Sequence, residues 1–519
     1  MTKQAQVNIF AGIYILAALV LHISGIGGEN MHLIAFAIPL APLIINSLPQ
    51  NYAKLGFDDF TIRIQKLTDQ VPKIAYIWIL SGLFLIVWLI KYFHMYAIFD
   101  LRTFDAGIYG NIVFNTAKGD LFYSSVLEKN HLGEHFSPIM SFFAPFYWIK
   151  PDIRWLLIIQ VISYCCIPLI IYRIADSYTN KKSEKLLVSL ALSTSWFLYV
   201  PMRSAMEFTF HPSTLAAPLI MLAFAYIEEK KIKSFAVVMA ILILFKENIP
   251  LVLMGFGLYL VAHRRELQKG LLLLILGLSI ALILTTIVIP FFGNGAYSKL
   301  NRLDIWADLG LKSNYLLGLL LPMGFLPLIF WRRGIIALPA IMQNTIVGFS
   351  PMYSSSYHYD DLIAPLMFAC MPGILICCVI PLCNKYSLNK TYILVLAFFL
   401  SLTFSAKASP LQAVWRNPIN NIHNEIKGDL DDLQKRFPKE VIYLQHPLFT
   451  HFNRSSTFDL SSCQVNDLSD DSIVVLATET SLRDWPINDL DHCIDTINAH
   501  KGTKRINGFK RLKVFSIQH

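Results

Sequence analysis

This chain is short of charge. Lysine, arginine, aspartate and glutamate make up only 15% of its 519 residues, against 55% hydrophobic residues. Soluble globular domains carry about a quarter charged residues. The deficit therefore excludes an ordinary soluble enzyme and points to a chain that crosses a membrane many times. Cleavable leaders are also missing: "MTKQAQVNIF" runs straight into an apolar stretch with no A-x-A site, so it reads as a retained membrane segment. No internal repeat shows in the hydropathy order, which removes the usual signature of a secondary transporter. Metal-type cysteine spacing is absent too. Of the eight cysteines, Cys165, Cys166, Cys370, Cys377, Cys378 and Cys383 lie in or beside apolar runs and read as packing residues. Cys463 and Cys493 lie in a polar tail and would pair in an oxidising compartment.

What is present is a succession of apolar runs. A spanning helix needs about twenty mostly apolar residues. Runs of that kind fall at roughly 7–26, 31–48, 72–97, 153–173, 186–203, 213–228, 234–246, 249–263, 270–292, 314–331, 334–350, 358–383 and 391–406. The expected fold is an all-α polytopic bundle of about 13 transmembrane helices. The short pair around "LFKENIP" reads as a broken or re-entrant hairpin with a polar tip.

The net charge of +9 carries no nucleic-acid signal; its distribution orients the spans. Lys54, Arg63 and Lys66 share one connection, and Arg173, Lys181, Lys182 and Lys185 another. Lys230, Lys231 and Lys233, then His263, Arg264, Arg265 and Lys269, then Arg332 and Arg333, then Lys385 and Lys390 continue the alternation. Basic connections belong in the cytoplasm, which sets the N-terminus inside and the C-terminal region outside. The remaining connections then face outward. They hold Asp105, His131, Glu134, His135, Glu207, His211, Glu247, His358, Asp360 and Asp361. Acids and histidines thus gather on one face and basic clusters on the other.

Each of these residues has a plain reading beside a functional one. Asp105, in "TFDAGIYG", is either a helix N-cap or a general base at the mouth of a cavity. "HLGEH" matches the H-x-x-E-H pattern of inverted zinc peptidases, but Gly133 and Pro138 work against a helix there. Glu134 and His135 remain candidate ligands of a divalent metal ion without peptidase chemistry. Arg203, Glu207 and His211 stand at four-residue spacing, which serves an ion pair at a helix end or a substrate site equally. Lys246 and Glu247 sit between apolar stretches, as a pair bracing a hairpin or as groups facing a cavity. His358 and Tyr359, in "SSSYHYDD", suit either an interfacial aromatic belt or a sugar-stacking surface. From about residue 407 the composition changes. A helical pattern followed by a strand, then "DSIVVLATE" and "RLKVFSIQ", read as a small external α/β domain. No glycine-rich phosphate loop or triad spacing marks that domain with chemistry of its own.

The stretches "FDAGIYGNIVFNTAKGD", "NHLGEHFSPIMSFFAPFYWIKP", "LLIIQVISYCCIPLIIYRIA", "EFTFHPSTLAAPLIMLAFAYIEEKK", "LILFKENIPLVLMGFGLYL" and "YHYDDLIAPLMF" resemble the bacterial membrane proteins grouped as domain of unknown function 2079. The resemblance runs over about residues 72–519. It implies a core at 72–406, an external domain at 407–519 and a two-helix addition at 1–71. That family is similar to the GT-C superfamily of membrane glycosyltransferases, which take sugars from polyprenyl-phosphate carriers. In those enzymes the first external loop carries an essential acid, and the matching position here is Asp105. Many of them show two neighbouring acids in this loop, whereas Asp105 stands without one nearby in sequence. Either Asp105 acts alone, or Glu134, Glu207 or Glu247 supplies a second carboxylate.

The resemblance implies transfer of a sugar from a polyprenyl-phosphate donor to a glycan, lipid or protein acceptor, in the inner membrane of a bacterium. Asp105 would be the base, and Arg203, Lys246 or Arg302 the cations that meet the departing phosphate. Arg203, Glu207, His211, Lys246, Glu247, His358 and Tyr359 are the expected substrate-binding set. No cofactor is required, although a divalent metal would substitute for a cation. The rival readings are a secondary transporter or lipid flippase built around Glu247, and a non-catalytic membrane scaffold.

Overall fold

The computed structural model describes residues 73–101, 103–293, 295, 302–386, 410–452, 456–460, 463–477 and 489–518. The expected spans at 7–26, 31–48 and 391–406, and with them the two-helix addition, lie outside this set.

Among the described residues, four helices are long and apolar enough to cross a bilayer: Ile74–Ala97, Arg154–Asp176, Leu267–Gly293 and Ile363–Lys385. A fifth candidate is the pair Lys182–Leu198 and Val200–Glu207, which bends by 49°. Pro201 has no N–H to continue the helix, and the chain opens two residues ahead of it, with Tyr199 extended at ψ 115. We label Lys73–Ala97 α1, Ile108–Lys118 α2, Arg154–Asp176 α3, Val200–Glu207 α4 and Pro212–Glu228 α5. Helix α3 packs against both α1 and α5. Their shared interior is aromatic: Trp88 and Tyr92 of α1 are buried beside Tyr164 of α3, and Phe84 stacks on Phe197 at 3.7 Å.

Several expected spans are shorter or broken. Pro212–Glu228, Ile232–Ile243 and Pro250–Arg264 are apolar helices of fewer than eighteen residues. The stretch expected to span at 314–331 ends its helix at Leu320. Gly324 (φ 59) and Phe325 (φ 55) then reverse the backbone between Pro322 and Pro327. The 334–350 run likewise holds only the helix Leu338–Thr345. Two apolar runs punctuated by proline and glycine thus become turns and short helices, with Leu328, Ile329 and Met342 exposed at the bundle surface.

Helix α1 does not run smoothly into α2. Between them the chain takes positive φ at Phe99 (61) and at Asp105 (65). The next connection holds a two-stranded ribbon, β1 (Tyr123–Ser124) and β2 (Lys129–Asn130). It is followed by a 3₁₀ turn at His131–Gly133. Gly133 lies backbone to backbone against Gly293: a Cβ at position 133 would sit 2.4 Å from the Gly293 Cα. That contact, and the turn it caps, leaves no helix to carry the H-x-x-E-H pattern.

Residues 421–517 carry a five-stranded sheet. In order its strands are β4 (Thr457–Asp459), β3 (Val441–Leu444), β5 (Ser472–Ala477), β7 (Leu512–Ile517) and β6 (Thr503–Ile506). The first three are mutually parallel and the last pairings antiparallel. Helix Asn421–Arg436 begins with a reciprocal cap, in which the Asn420 side chain accepts from the His423 N–H and His423 Nδ1 from that of Asn420. Strand β5, buried along its whole length, separates two cores. Cys463 is disulfide-bonded to Cys493 in the second of these.

Candidate functional site

Asp105 is the last non-helical residue ahead of α2. The cap position of α2 is Gly107, and no side chain closes it. Instead the Asp105 carboxylate lies 2.9 Å from His211 Nε2, a residue more than a hundred positions away in the chain. An ionised carboxylate only accepts, so His211 Nε2 carries the proton and donates it. The backbone at Asp105 (φ 65, ψ −83) occupies a region that costs non-glycine residues of order 1–3 kcal/mol. Its side chain is 29% exposed whereas that of His211 is 3% exposed. One end of the pair is therefore open and the other fixed.

What fixes it is a set of rings and a buried amide. The His211 ring stacks on His358 at 3.6 Å and meets the edge of Tyr109 at 5.7 Å. Its backbone N–H donates to Gln160 Oε1. Gln160 Nε2 in turn donates to the Thr209 carbonyl and to the Tyr92 hydroxyl, which itself donates to the Met206 carbonyl. Thr209, a β-branched residue, is held at φ 76. Helices α1, α3 and the α4–α5 turn are thus tied together directly beneath the Asp105–His211 pair.

Around it stand three further polar groups. Glu207 Oε1 accepts from Lys91 Nζ at 3.1 Å and lies 3.8 Å from Arg203. Arg203 is 1% exposed and stays inside the bundle, whereas the Glu207 side chain is 25% exposed. Glu247 contacts His135 Nδ1 at 2.7 Å and accepts from the Phe136 N–H at 3.2 Å, which staples the 131–137 loop to the 246–248 turn. Asp360 accepts from the Tyr315 hydroxyl, itself bonded by Asn344. Burial pushes the Asp360 carboxyl up to about 7, and pushes Asp361 up as well, with the Lys246 charge opposing the rise.

The charges of Asp105, Glu247 and Asp361 all bear on the Tyr109 hydroxyl, which burial already raises. Those of Asp105, Arg302 and Asp361 bear on Tyr359, whose hydroxyl burial pushes up to about 12. Loops distant in sequence therefore converge on one region. Arg302 is exposed, with its guanidinium 4.6 Å above the Phe349 ring, and Lys246 is buried near Asp361. Glu134 turns away to Lys129 at 2.8 Å while His135 faces Glu247. The expected Glu134–His135 ligand pair is thus split between two partners. Among the described residues no three His, Cys, Asp or Glu side chains converge to hold a metal ion.

Residues 96–309 match the family model described as Predicted membrane protein (DUF2079). The match takes in Asp105, His211, Lys246 and Glu247 and is shorter than the stretch over which the sequence resembles that family. "YHYDDLIAPLMF", with His358 and Tyr359, lies beyond it. None of the curated proteins matches. A crystal structure of ArnT from Cupriavidus metallidurans bound to undecaprenyl phosphate has a similar outline, with 12% identity and a TM-score of 0.49 over 85% of this chain and 98% of that one.

Sequence reading missed Lys91, Gln160 and Tyr109. Lys91 left one legible signal, a lysine well inside an apolar span. Gln160 left a weaker one, a lone amide in "LLIIQVISY". Nothing in the sequence marks Tyr109.

Proposed function

We propose that this protein is a membrane glycosyltransferase that moves a sugar from a polyprenyl-phosphate carrier to an acceptor hydroxyl at the outer face of the membrane. The observation that carries this reading is the Asp105–His211 pair: a partly exposed carboxylate on a strained backbone, oriented by a buried imidazole. Structural acids rarely keep such a conformation, whereas groups positioned for chemistry do.

In the reaction Asp105 takes the proton of the acceptor hydroxyl. The acceptor oxygen bonds to the anomeric carbon as the bond from that carbon to the phosphate oxygen breaks, and the electron pair leaves with the polyprenyl phosphate. His211 keeps the carboxylate aimed through its Nε2–H. Lys246, whose charge acts on Asp361, and Arg302, whose charge acts on Tyr359, would meet the charge that develops on the phosphate. Glu207 and Arg203 act underneath as a brace; His358 fixes the His211 ring. The alternation of basic connections supports an outward-facing site with a cytoplasmic N-terminus. The Cys463–Cys493 bond supports an oxidising compartment around residues 421–517.

The test uses purified protein in proteoliposomes with a radiolabelled polyprenyl-phosphate sugar. Asp105→Asn is expected to lower transfer at least about a hundredfold with unchanged melting. Transfer at the wild-type rate by this variant would overturn the reading, and saturable sugar flux without donor consumption would point to transport instead.

A further inference from the structure

We infer that the sheet-bearing C-terminal unit positions Asp105 through its turn His446–His451, and so completes the site proposed above. The argument begins at the exit from α1. From Phe99 to Asp105 the chain turns through two positive-φ residues, neither of them glycine. Such a path persists only where its surroundings over-determine it; the bundle buries Leu101 and Ala106 and pairs Asp105 with His211, and the C-terminal unit adds holds of its own.

The C-terminal unit supplies three holds in six residues. Phe99 is 2% exposed, and its ring belongs to the core formed by Ile426, Leu430, Ile442, Leu448 and Phe452. The Leu101 carbonyl accepts from Thr450 Oγ1 at 3.0 Å, with both residues buried. Phe104, immediately before Asp105, places its ring 5.2 Å from that of His446. His446 is set in turn by the Asp459 carboxylate, 3.4 Å from Nδ1, with side chains 3% and 5% exposed. Flanking contacts repeat the pattern: His451 Nε2 bonds the Tyr96 carbonyl with its ring stacked 3.9 Å from Tyr96, and Ser125 Oγ donates to the Thr457 carbonyl.

The turn itself is rigid. It follows strand β3 directly, at the carboxyl end of the parallel strands, where open α/β sheets present their functional loops. Gln445 at its start is 1% exposed and accepts from the Ala477 N–H, while its own N–H donates to the Val475 carbonyl. Three contacts on a fixed turn, spaced along the strained segment, set where the next carboxylate stands. Thr450 and His446 touch no reacting atom in this account; they act through the 99–104 segment on Asp105.

The test is made on the full-length protein in detergent or nanodiscs, with Thr450→Val as the main variant. It keeps the volume and removes the hydroxyl that holds Leu101. Labelling of individual carboxylates by a water-soluble carbodiimide and an amine, read by mass spectrometry, reports the exposure of Asp105 without any need for activity. Thr450→Val is expected to label severalfold faster at Asp105 while Asp360 and Asp361 stay at wild-type rates; Thr450→Ser restores the wild-type rate. His446→Gln gives the same selective rise if Thr450→Val fails to express. In transfer assays Thr450→Val lowers kcat about tenfold with KM unchanged. An unchanged Asp105 labelling rate in both variants overturns the positioning role. Selective labelling in a protein whose wild type transfers no sugar upholds the positioning and sinks the transferase reading instead.

Discussion

Two polar clusters, one at each end of the bundle, are built from similar parts and differ in what they leave open. At the end carrying the basic connections, Glu228 is 3% exposed. Its two oxygens accept from the Tyr259 and Tyr178 hydroxyls at 2.8 and 2.6 Å, with Arg264 at 3.9 Å and Arg333 bonded to Tyr178. At the other end Asp105 meets one histidine and keeps part of its carboxylate in the open. Glu228 terminates a regular helix, whereas Asp105 occupies a strained turn. A buried carboxylate with both oxygens bonded by tyrosine hydroxyls is a fastening. One that is half satisfied, exposed and held against its conformational preference is available for a proton.

The comparison breaks most visibly if the fastening is cut. Glu228→Ala strands two tyrosine hydroxyls among nearby guanidinium groups and is expected to cost about 3 kcal/mol, read as a lowered melting temperature, while transfer per folded molecule stays at the wild-type level. A smaller effect, about 1–3 kcal/mol, is expected from Gly133→Ala, because the new Cβ would press on the Gly293 backbone. Here the loss should be accompanied by weaker substrate binding, since the same loop carries His135 to Glu247.

The third effect is a pH dependence. Burial pushes His451 down to about 3, so its neutral ring donates to Tyr96 in the folded protein. The unfolded chain takes up a proton below about pH 6.5 while the folded one does not until near its own depressed value. Stability from this residue is therefore complete above about 6.5 and falls steadily toward pH 3. Melting curves between these limits should show that slope, and His451→Gln should flatten it.

Much of this was legible at the level of polarity. The outward set of acids and histidines was drawn from charge alternation alone, and Asp105, His211, His358, Glu247 and Asp361 do converge. Residues "DSIVVLATE" and "RLKVFSIQ" coincide with β5 and β7, because alternating and fully apolar runs leave a strand signal without tertiary context. Pairings were not legible. The bond from Lys91 to Glu207 depends on the approach of α1 to α4, which no local pattern marks. Lys246 and Glu247 are adjacent in sequence, yet Glu247 turns to His135 and the Lys246 charge acts on Asp361. Hydropathy also overstated continuity around Pro322, Gly324 and Pro327, where apolar character survives but the helix does not.

The most direct measurement puts both carboxylates through one assay: sugar transfer per folded molecule, in the same proteoliposomes, for Asp105→Asn and Glu228→Gln. The account predicts a collapse of at least about a hundredfold for the first and wild-type turnover for the second. Equal losses in the two variants, or full turnover without the Asp105 carboxylate, would contradict it.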